Sequence, residues 1–230
     1  MLELTDVNAW YGDSHVLHGM SLEVKEGEVV TLLGRNGAGK TTTLKTIMGM
    51  MAKSSGSVEF RGQELLGLRP DTIARKGIAT CPEHRGIFAS LTVMENLMLP
   101  PTLAEDGMGV DELEALFPNI FERGKSKGTT LSGGEQQMLA IARILRSGAK
   151  FLLMDELTEG LAPVIIEQIA HTLNRIRERG YTIILVEQNA AFVKSIADRH
   201  YLVQDGKVID CVEANQFDTR RGQINRVLGL

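Results

Sequence analysis

Cysteine is scarce in this chain. Two are present among 230 residues, Cys81 and Cys211, and they form no C-x-x-C pair. They read as reduced thiols, as expected of a cytosolic protein, and not as a disulfide framework. Long apolar runs are also missing. None approaches the roughly 20 residues needed to span a bilayer, so a membrane role has to come through a partner. Met1-Leu2-Glu3-Leu4 has neither a basic n-region nor an apolar h-region, so no secretory signal is expected there. An excess of positive charge is absent too. The net charge is −4 and the pI near 5.8. Both argue against a broad nucleic-acid-binding face and against adhesion to anionic lipid. No internal repeat, low-complexity tract or domain linker interrupts the chain. Hydrophobic residues, by contrast, make up 43%, enough for the core of one α/β domain.

Glycine is placed with a pattern. Gly34-Arg35-Asn36-Gly37-Ala38-Gly39-Lys40-Thr41 fits G-x-x-x-x-G-K-[ST], the P-loop. An apolar β-branched run (Val29, Val30, Thr31, Leu32, Leu33) feeds it, and a helix-like run over 42–50, opening at Thr42, follows. The glycines let the backbone wrap around phosphate oxygens. Backbone N–H groups and the helix N-terminus attract the anion. Lys40 is placed for the β- and γ-phosphates, and the Thr41 hydroxyl for Mg²⁺. The plain alternative is a Gly-rich turn before an ordinary helix. A chance match in a chain this long is on the order of one in a hundred, and the flanking strand and helix lower it further. Nucleoside triphosphate binding is the stronger reading.

Strands dominate the N-terminal third. One run is begun by Leu2, Leu4 and Val7, a second covers 15–24, and a third covers 57–61. A helix over 71–76 and a strand over 77–81 follow, then a helix over 91–99, a loop over 102–109, and a helical face of Val110, Leu113, Leu116 and Phe117. The polar stretch 123–128 reads as a solvated loop. Helices are expected over 135–146, 164–178 and 190–197, and buried strands over 151–154 and 181–186. Asp205-Gly206 signals a type I′ hairpin within 201–210. Strands alternating with helices imply a parallel sheet with loops at its carboxyl ends.

Two further segments carry chemistry. The strand Phe151-Leu152-Leu153-Met154 delivers Asp155 and Glu156 to a sheet edge. An acid at Asp155 can hold Mg²⁺, usually through water, and Glu156 can orient or deprotonate an attacking water. The bland reading is a strand ending in two solvated acids. Leu131-Ser132-Gly133-Gly134-Glu135-Gln136-Gln137 is the deciding motif. Ser132 and Glu135 fit a capping box. Two adjacent glycines add nothing to a cap, so they are expected to expose N–H groups as a second anion site. Such a site is most useful if it closes on nucleotide held by another subunit.

On these residues the chain resembles the ATP-binding subunits of ABC transporters over essentially its whole length. More narrowly, it resembles one of the two ATPase subunits of branched-chain amino acid importers. Supporting phrases are Tyr11-Gly12, Pro82-Glu83, Leu91-Thr92-Val93, Gly160-Leu161-Ala162-Pro163 and Leu185-Val186-Glu187-Gln188-Asn189. Urea and amide importers carry similar phrases. The resemblance implies a RecA-like parallel-sheet core, an N-terminal antiparallel β subdomain and an inserted helical subdomain. The core takes about 1–83 and 150–230, the helical part about 84–149. It implies that Tyr11 stacks on adenine, that Glu83 stands at the Q-loop position as a Mg²⁺ ligand beside Thr41 and Asp155, and that Gln188 takes the place of the switch histidine. It makes Leu131 to Gln136 the signature that meets the opposing nucleotide, and 158–162 a D-loop at the dimer interface. ATP and Mg²⁺ are the implied ligands. The implied partners are a second ATPase subunit (the same or a sister chain), a transmembrane permease and, indirectly, an extracytoplasmic solute-binding protein. Nucleic acid is not among them. The expected place is the cytoplasmic face of the membrane. Leu157 stands where relatives usually have Pro, which is expected to loosen that turn. A soluble ABC ATPase of DNA repair or translation, or a module that binds ATP without turnover, is the rival from another class.

Overall fold

Alternating burial builds the first sheet. The computed structural model describes residues 1–104 and 107–229; Glu105 and Asp106, within the expected 102–109 loop, lie outside the described residues, as does Leu230. β1 (Leu2–Tyr11) buries Leu2, Leu4, Val7 and Ala9, and β2 (Ser14–Val24) buries Leu17, Met20, Leu22 and Val24. With side chains alternating across the pleat, one face packs and the other stays wet. β3 (Val29–Leu33) leaves for a second sheet. β4 (Lys53–Phe60) returns to pair antiparallel with β1, and β5 (Gln63–Glu64) closes the order β2-β1-β4-β5.

The second sheet adds β6 (Ile78–Cys81), β7 (Phe151–Asp155), β8 (Thr182–Glu187), β9 (Arg199–Gln204) and β10 (Lys207–Glu213). Its order is β10-β9-β3-β8-β7-β6, parallel from β9 to β6, with β10 antiparallel at the edge. β3, β7 and β8 are buried at every position because both faces are covered. Val29, Leu33, Leu152, Met154, Ile183 and Leu185 join one hydrophobic core. Val30, Leu32, Phe151, Leu153, Ile184 and Val186 join the other, with β1 and β2. The β9–β10 turn has φ of 49° at Asp205 and 72° at Gly206, both positive as a type I′ turn requires.

The helices are α1 (Lys40–Ile47), α2 (Pro70–Arg75), α3 (Val93–Met98), α4 (Val110–Leu116), α5 (Pro118–Glu122), α6 (Gly133–Arg146), α7 (Pro163–Glu178), α8 (Ala190–Lys194) and α9 (Arg221–Leu228). α6 begins two residues before the expected 135, because the cap at Ser132 starts it there. α8 stops at Lys194, short of the expected 197. α5 and α9 have weak sequence signals. α5 is short and opens on Pro118, and α9 is polar, burying only Ile224 and Val227. α3, α4 and α5 all pack on α6.

Register decides where the site falls. Leu33 pairs with Glu187, and Asp155 pairs with Val186. The carboxyl ends of β3, β7 and β8 therefore finish side by side, where an open α/β sheet binds its ligand.

Candidate functional site

The loop between β3 and α1 is shaped by its contacts. A Cβ at Gly34 would stand 2.3 Å from the Val203 carbonyl oxygen, so only glycine fits. Gly37 and Gly39 take φ of 82° and 102°, which other residues adopt at a cost. The Ala38 carbonyl accepts from the Gly206 N–H at 3.0 Å, and the Ala38 N–H donates to Arg35 O at 3.1 Å. The β9–β10 turn thus braces the loop from behind. Lys40 is buried at 4% exposure, and its Nζ donates to Gly34 O at 2.8 Å and Arg35 O at 3.1 Å. Burial lowers its pKa, while Glu156, Asp155 and Glu187 oppose that shift. Thr42 is buried in the first turn of α1.

Acids gather opposite the loop. The Thr41 hydroxyl donates to Asp155 Oδ1 at 3.1 Å. Asp155 is 5% exposed, and burial raises its pKa against the Thr41 bond; Glu156 and Glu83 push it further up, and Lys40 pulls it down. Glu156 sits 3.8 Å from Lys40 Nζ. Its backbone takes φ of 47°, strained for a non-glycine residue, and its N–H donates to Val186 O at 2.9 Å. Gln188 Nε2 donates to Glu156 Oε1 at 2.9 Å and to Asn36 Oδ1 at 2.7 Å. One amide therefore joins the P-loop to Glu156. The carboxylates of Glu83, Glu156 and Glu159 have oxygens within 4.8 Å of one another. Glu83, expected beside Thr41 and Asp155, has its carboxylate near Glu156 and Glu159, and its charge reaches Asp155. Mg²⁺ fits the donor chemistry here, since the Thr41 hydroxyl and the Asp155 carboxyl are hard oxygen donors side by side.

Tyr11 is 47% exposed at the end of β1, with Lys45 Nζ of α1 lying 5.7 Å over its ring. It therefore stands beside the helix that the P-loop opens. The Leu131–Gln136 segment shows a different balance from that expected. Ser132 and Glu135 do form a capping box, with Ser132 N to Glu135 Oε2 at 2.6 Å and Glu135 N to Ser132 Oγ at 3.3 Å. Arg123 holds the Glu135 carboxylate at 3.1 Å. Gln136 Nε2 donates to Leu131 O at 3.1 Å. Gly134 has a packing reason of its own: a Cβ there would meet Ile165 Cγ2 at 2.7 Å. Leu131 and Gly134 are buried, Ser132 is exposed, and Gly133 lies next to the Arg85 guanidinium. Leu157, at the position where proline is usual in relatives, is 1% exposed and packs in the core.

Two residues escaped the sequence reading. Glu187 ends β8 buried at 2%, and burial raises its pKa against hydrogen bonds from Thr158, Gln188 and Asn189. Arg85 Nε donates to Gln137 Oε1 at 3.2 Å and so links the loop after β6 to α6. An acid at the end of an apolar strand was the available signal for Glu187. Nothing local marked Arg85.

A parallel sheet with a glycine-rich loop opening α1 defines a P-loop fold. The ABC transporter family model matches residues 17–159. The chain is 46% identical over 212 residues to the high-affinity branched-chain amino acid transport ATP-binding protein BraG of Pseudomonas aeruginosa, covering 91% of each chain. It is 37% identical over 221 residues to the probable branched-chain amino acid transport ATP-binding protein LivF of Archaeoglobus fulgidus, covering 94% of each. A solved structure of an ATP binding subunit of an ABC transporter superposes with a TM-score of 0.82 at 27% identity, over 100% of both chains. The chain belongs to the ABC transporter family and is an ABC-class ATPase.

Proposed function

We propose that this chain is the ATP-hydrolysing subunit of an importer for branched-chain amino acids. One observation carries the reading. Glu156 and Gln188 are paired at the mouth of the P-loop in a chain 46% identical to BraG. The roles proposed for its residues are as follows. The backbone of 34–39 (Gly34, Arg35, Asn36, Gly37, Ala38 and Gly39), with Lys40 and Thr42, cradles the phosphates, and Tyr11 stacks on adenine. Thr41 and Asp155, with Glu83 close enough for its charge to reach Asp155, would hold Mg²⁺, and the cation would supply neutralising charge to the phosphates. Glu156 orients a water and takes its proton as the water oxygen attacks the γ-phosphorus. The bond from that phosphorus to the bridging oxygen breaks, and ADP and phosphate leave. One Gln188 N–H keeps its bond to Glu156, and the other exchanges Asn36 Oδ1 for a γ-phosphate oxygen. Leu131, Ser132, Gly133, Gly134, Glu135 and Gln136 meet the nucleotide of a second ATPase subunit, so two chains close head to tail around ATP.

The packing of α3, α4 and α5 on α6 supports a helical subdomain over about 84–149, set into a core of about 1–83 and 150–230. A groove of about 380 Å³ lies between them, lined by Pro82, Arg85, Pro100, Pro101, Arg143 and Ile144 among others. It suits the coupling segment of a permease. Among the described residues no helix is long and apolar enough to cross a membrane. The permease then holds the chain on the cytoplasmic face, and a solute-binding protein acts on it only indirectly. The test is ATP-driven uptake of labelled leucine by proteoliposomes holding the permease, its ATPase subunits and the solute-binding protein. Leucine uptake that stops with Glu156→Gln is the expected result. Uptake of urea or an amide in place of leucine, or no uptake at all, refutes the proposal.

A further inference from the structure

We propose that Glu187 is a positioning residue, whose buried carboxylate ties the Thr158 turn to the Gln188 turn and so sets Glu156 against Gln188. The inference rests on the reading that Glu156 and Gln188 act in hydrolysis.

Each turn hangs from one carboxylate. Glu187 Oε1 accepts the Thr158 N–H at 3.0 Å, and Oε2 accepts the Thr158 hydroxyl at 2.8 Å. Oε2 also accepts the Gln188 N–H at 3.3 Å. Thr158 lies two residues after Glu156, and Gln188 is the next residue after Glu187. The two side chains that meet at 2.9 Å in front, Glu156 and Gln188, are therefore anchored behind by a single group. The Glu156 backbone is anchored by its own N–H on Val186 O, in the same strand that carries Glu187, and its carboxylate also faces Lys40 Nζ at 3.8 Å.

The choice of residue is informative. Glu187 is 2% exposed. A buried carboxylate is an expensive way to cap a turn unless its several acceptor sites are all used. Here they are used, by donors from both turns. A glutamine would offer one acceptor oxygen and present its NH₂ to the remaining donors. Glu156 also holds a left-handed φ of 47°, a conformation that persists only where its surroundings impose it. The bond from Glu187 to Thr158 imposes it from the far side of the turn. The Thr158 turn opens the segment 158–162, which the resemblance implies is a D-loop at the dimer interface. A shift of that segment would then reach Glu156 through Glu187, which makes the carboxylate the point where dimer closure is read by the hydrolytic pair.

The experiment is a double-mutant cycle on ATPase turnover in the assembled transporter, with Glu187→Gln, Thr158→Val and both together. ATP affinity and melting temperature are measured on the same proteins. Each single variant should lower kcat by about tenfold to a hundredfold, the cost of misplacing a reacting group. KM and ATP affinity should stay within about twofold, because the phosphate cradle is untouched. The double variant should be no slower than the slower single one, since one connection is cut twice. Thr158→Ser, which keeps the hydroxyl and the N–H, should restore turnover. Additive losses overturn the inference, as does a Thr158→Ser as slow as Thr158→Val. If Glu187→Gln does not fold, the Thr158→Val and Thr158→Ser pair decides alone. Glu156→Gln is the control. Wild-type turnover there refutes the hydrolysis reading, and this inference with it. Wild-type turnover in Glu187→Gln and Thr158→Val, with Glu156→Gln inactive, overturns this inference only.

Discussion

Replacing Asp155 by asparagine should make the nucleotide-free protein more stable. Asp155 is 5% exposed, its one side-chain donor is the Thr41 hydroxyl, and Glu156 and Glu83 add like charge. Lys40 offsets this only in part, since burial weighs against its own charge as well. Asparagine keeps the shape and the oxygen that Thr41 bonds, and removes the charge. The gain at neutral pH should be about 1–2 kcal/mol. For a chain of this length each kcal/mol moves the melting point by about 2–4 °C, so the rise should be about 2–8 °C. The sign has a pH signature. The folded state raises the pKa of Asp155, so above the ordinary carboxylate range the native form binds more protons than the unfolded chain. Stability from this group is therefore complete at low pH and is lost as pH rises through the raised value. The gap between variant and wild type should open at neutral pH and close in acid. Melting curves without nucleotide, near pH 7.5 and near pH 4, measure it. Adding Mg²⁺ and ATP should stabilise wild type far more than the variant, because the variant has lost a cation ligand. A variant that melts below wild type at neutral pH, or a gap that does not change with pH, refutes the reasoning.

Three shorter predictions test the rest of the site. Lys40→Met should weaken ATP binding by about a hundredfold or more in calorimetry, since a charged donor to phosphate is lost; a loss below about tenfold removes Lys40 from the phosphate site. Ser132→Arg should leave ATP binding by the single chain intact but block ATP-driven dimerisation in a Glu156→Gln background, read by size-exclusion chromatography. Ser132 is the cleaner probe than Gly134, where any side chain strikes Ile165, and a normal dimer defeats the head-to-tail arrangement. Gln188→His should keep turnover and gain a pH dependence between about pH 5 and 8, which a glutamine amide cannot have; a flat profile in steady-state ATPase places Gln188 outside the reacting groups.

Much of this protein was legible from neighbours in the chain. The glycines of 34–39, the S-x-x-E spacing at Ser132 and Glu135, the apolar runs within β3, β7 and β8, and the Asp205-Gly206 turn are local patterns with local causes. Backbone conformation, capping and pleat alternation act within a few residues, so the chain by itself determines the strand–loop–helix of the P-loop and the acids at the strand ends. The rest depends on residues far apart. The Glu187 bond to Thr158 spans 29 positions and the Arg85 bond to Gln137 spans 52. The adjacent glycines Gly133 and Gly134 are expected to expose backbone N–H groups, and Gly134 is also held to glycine by Ile165 of α7. The Thr41 bond to Asp155 spans 114 positions, and Glu83 is brought beside Glu156 and Glu159. α9 escaped notice because two buried side chains make it a helix only once the sheet is there to cover. Spacing in sequence sets which groups are carried at a strand end. Only sheet register and packing, which fold distant segments against one another, decide which of those groups touch.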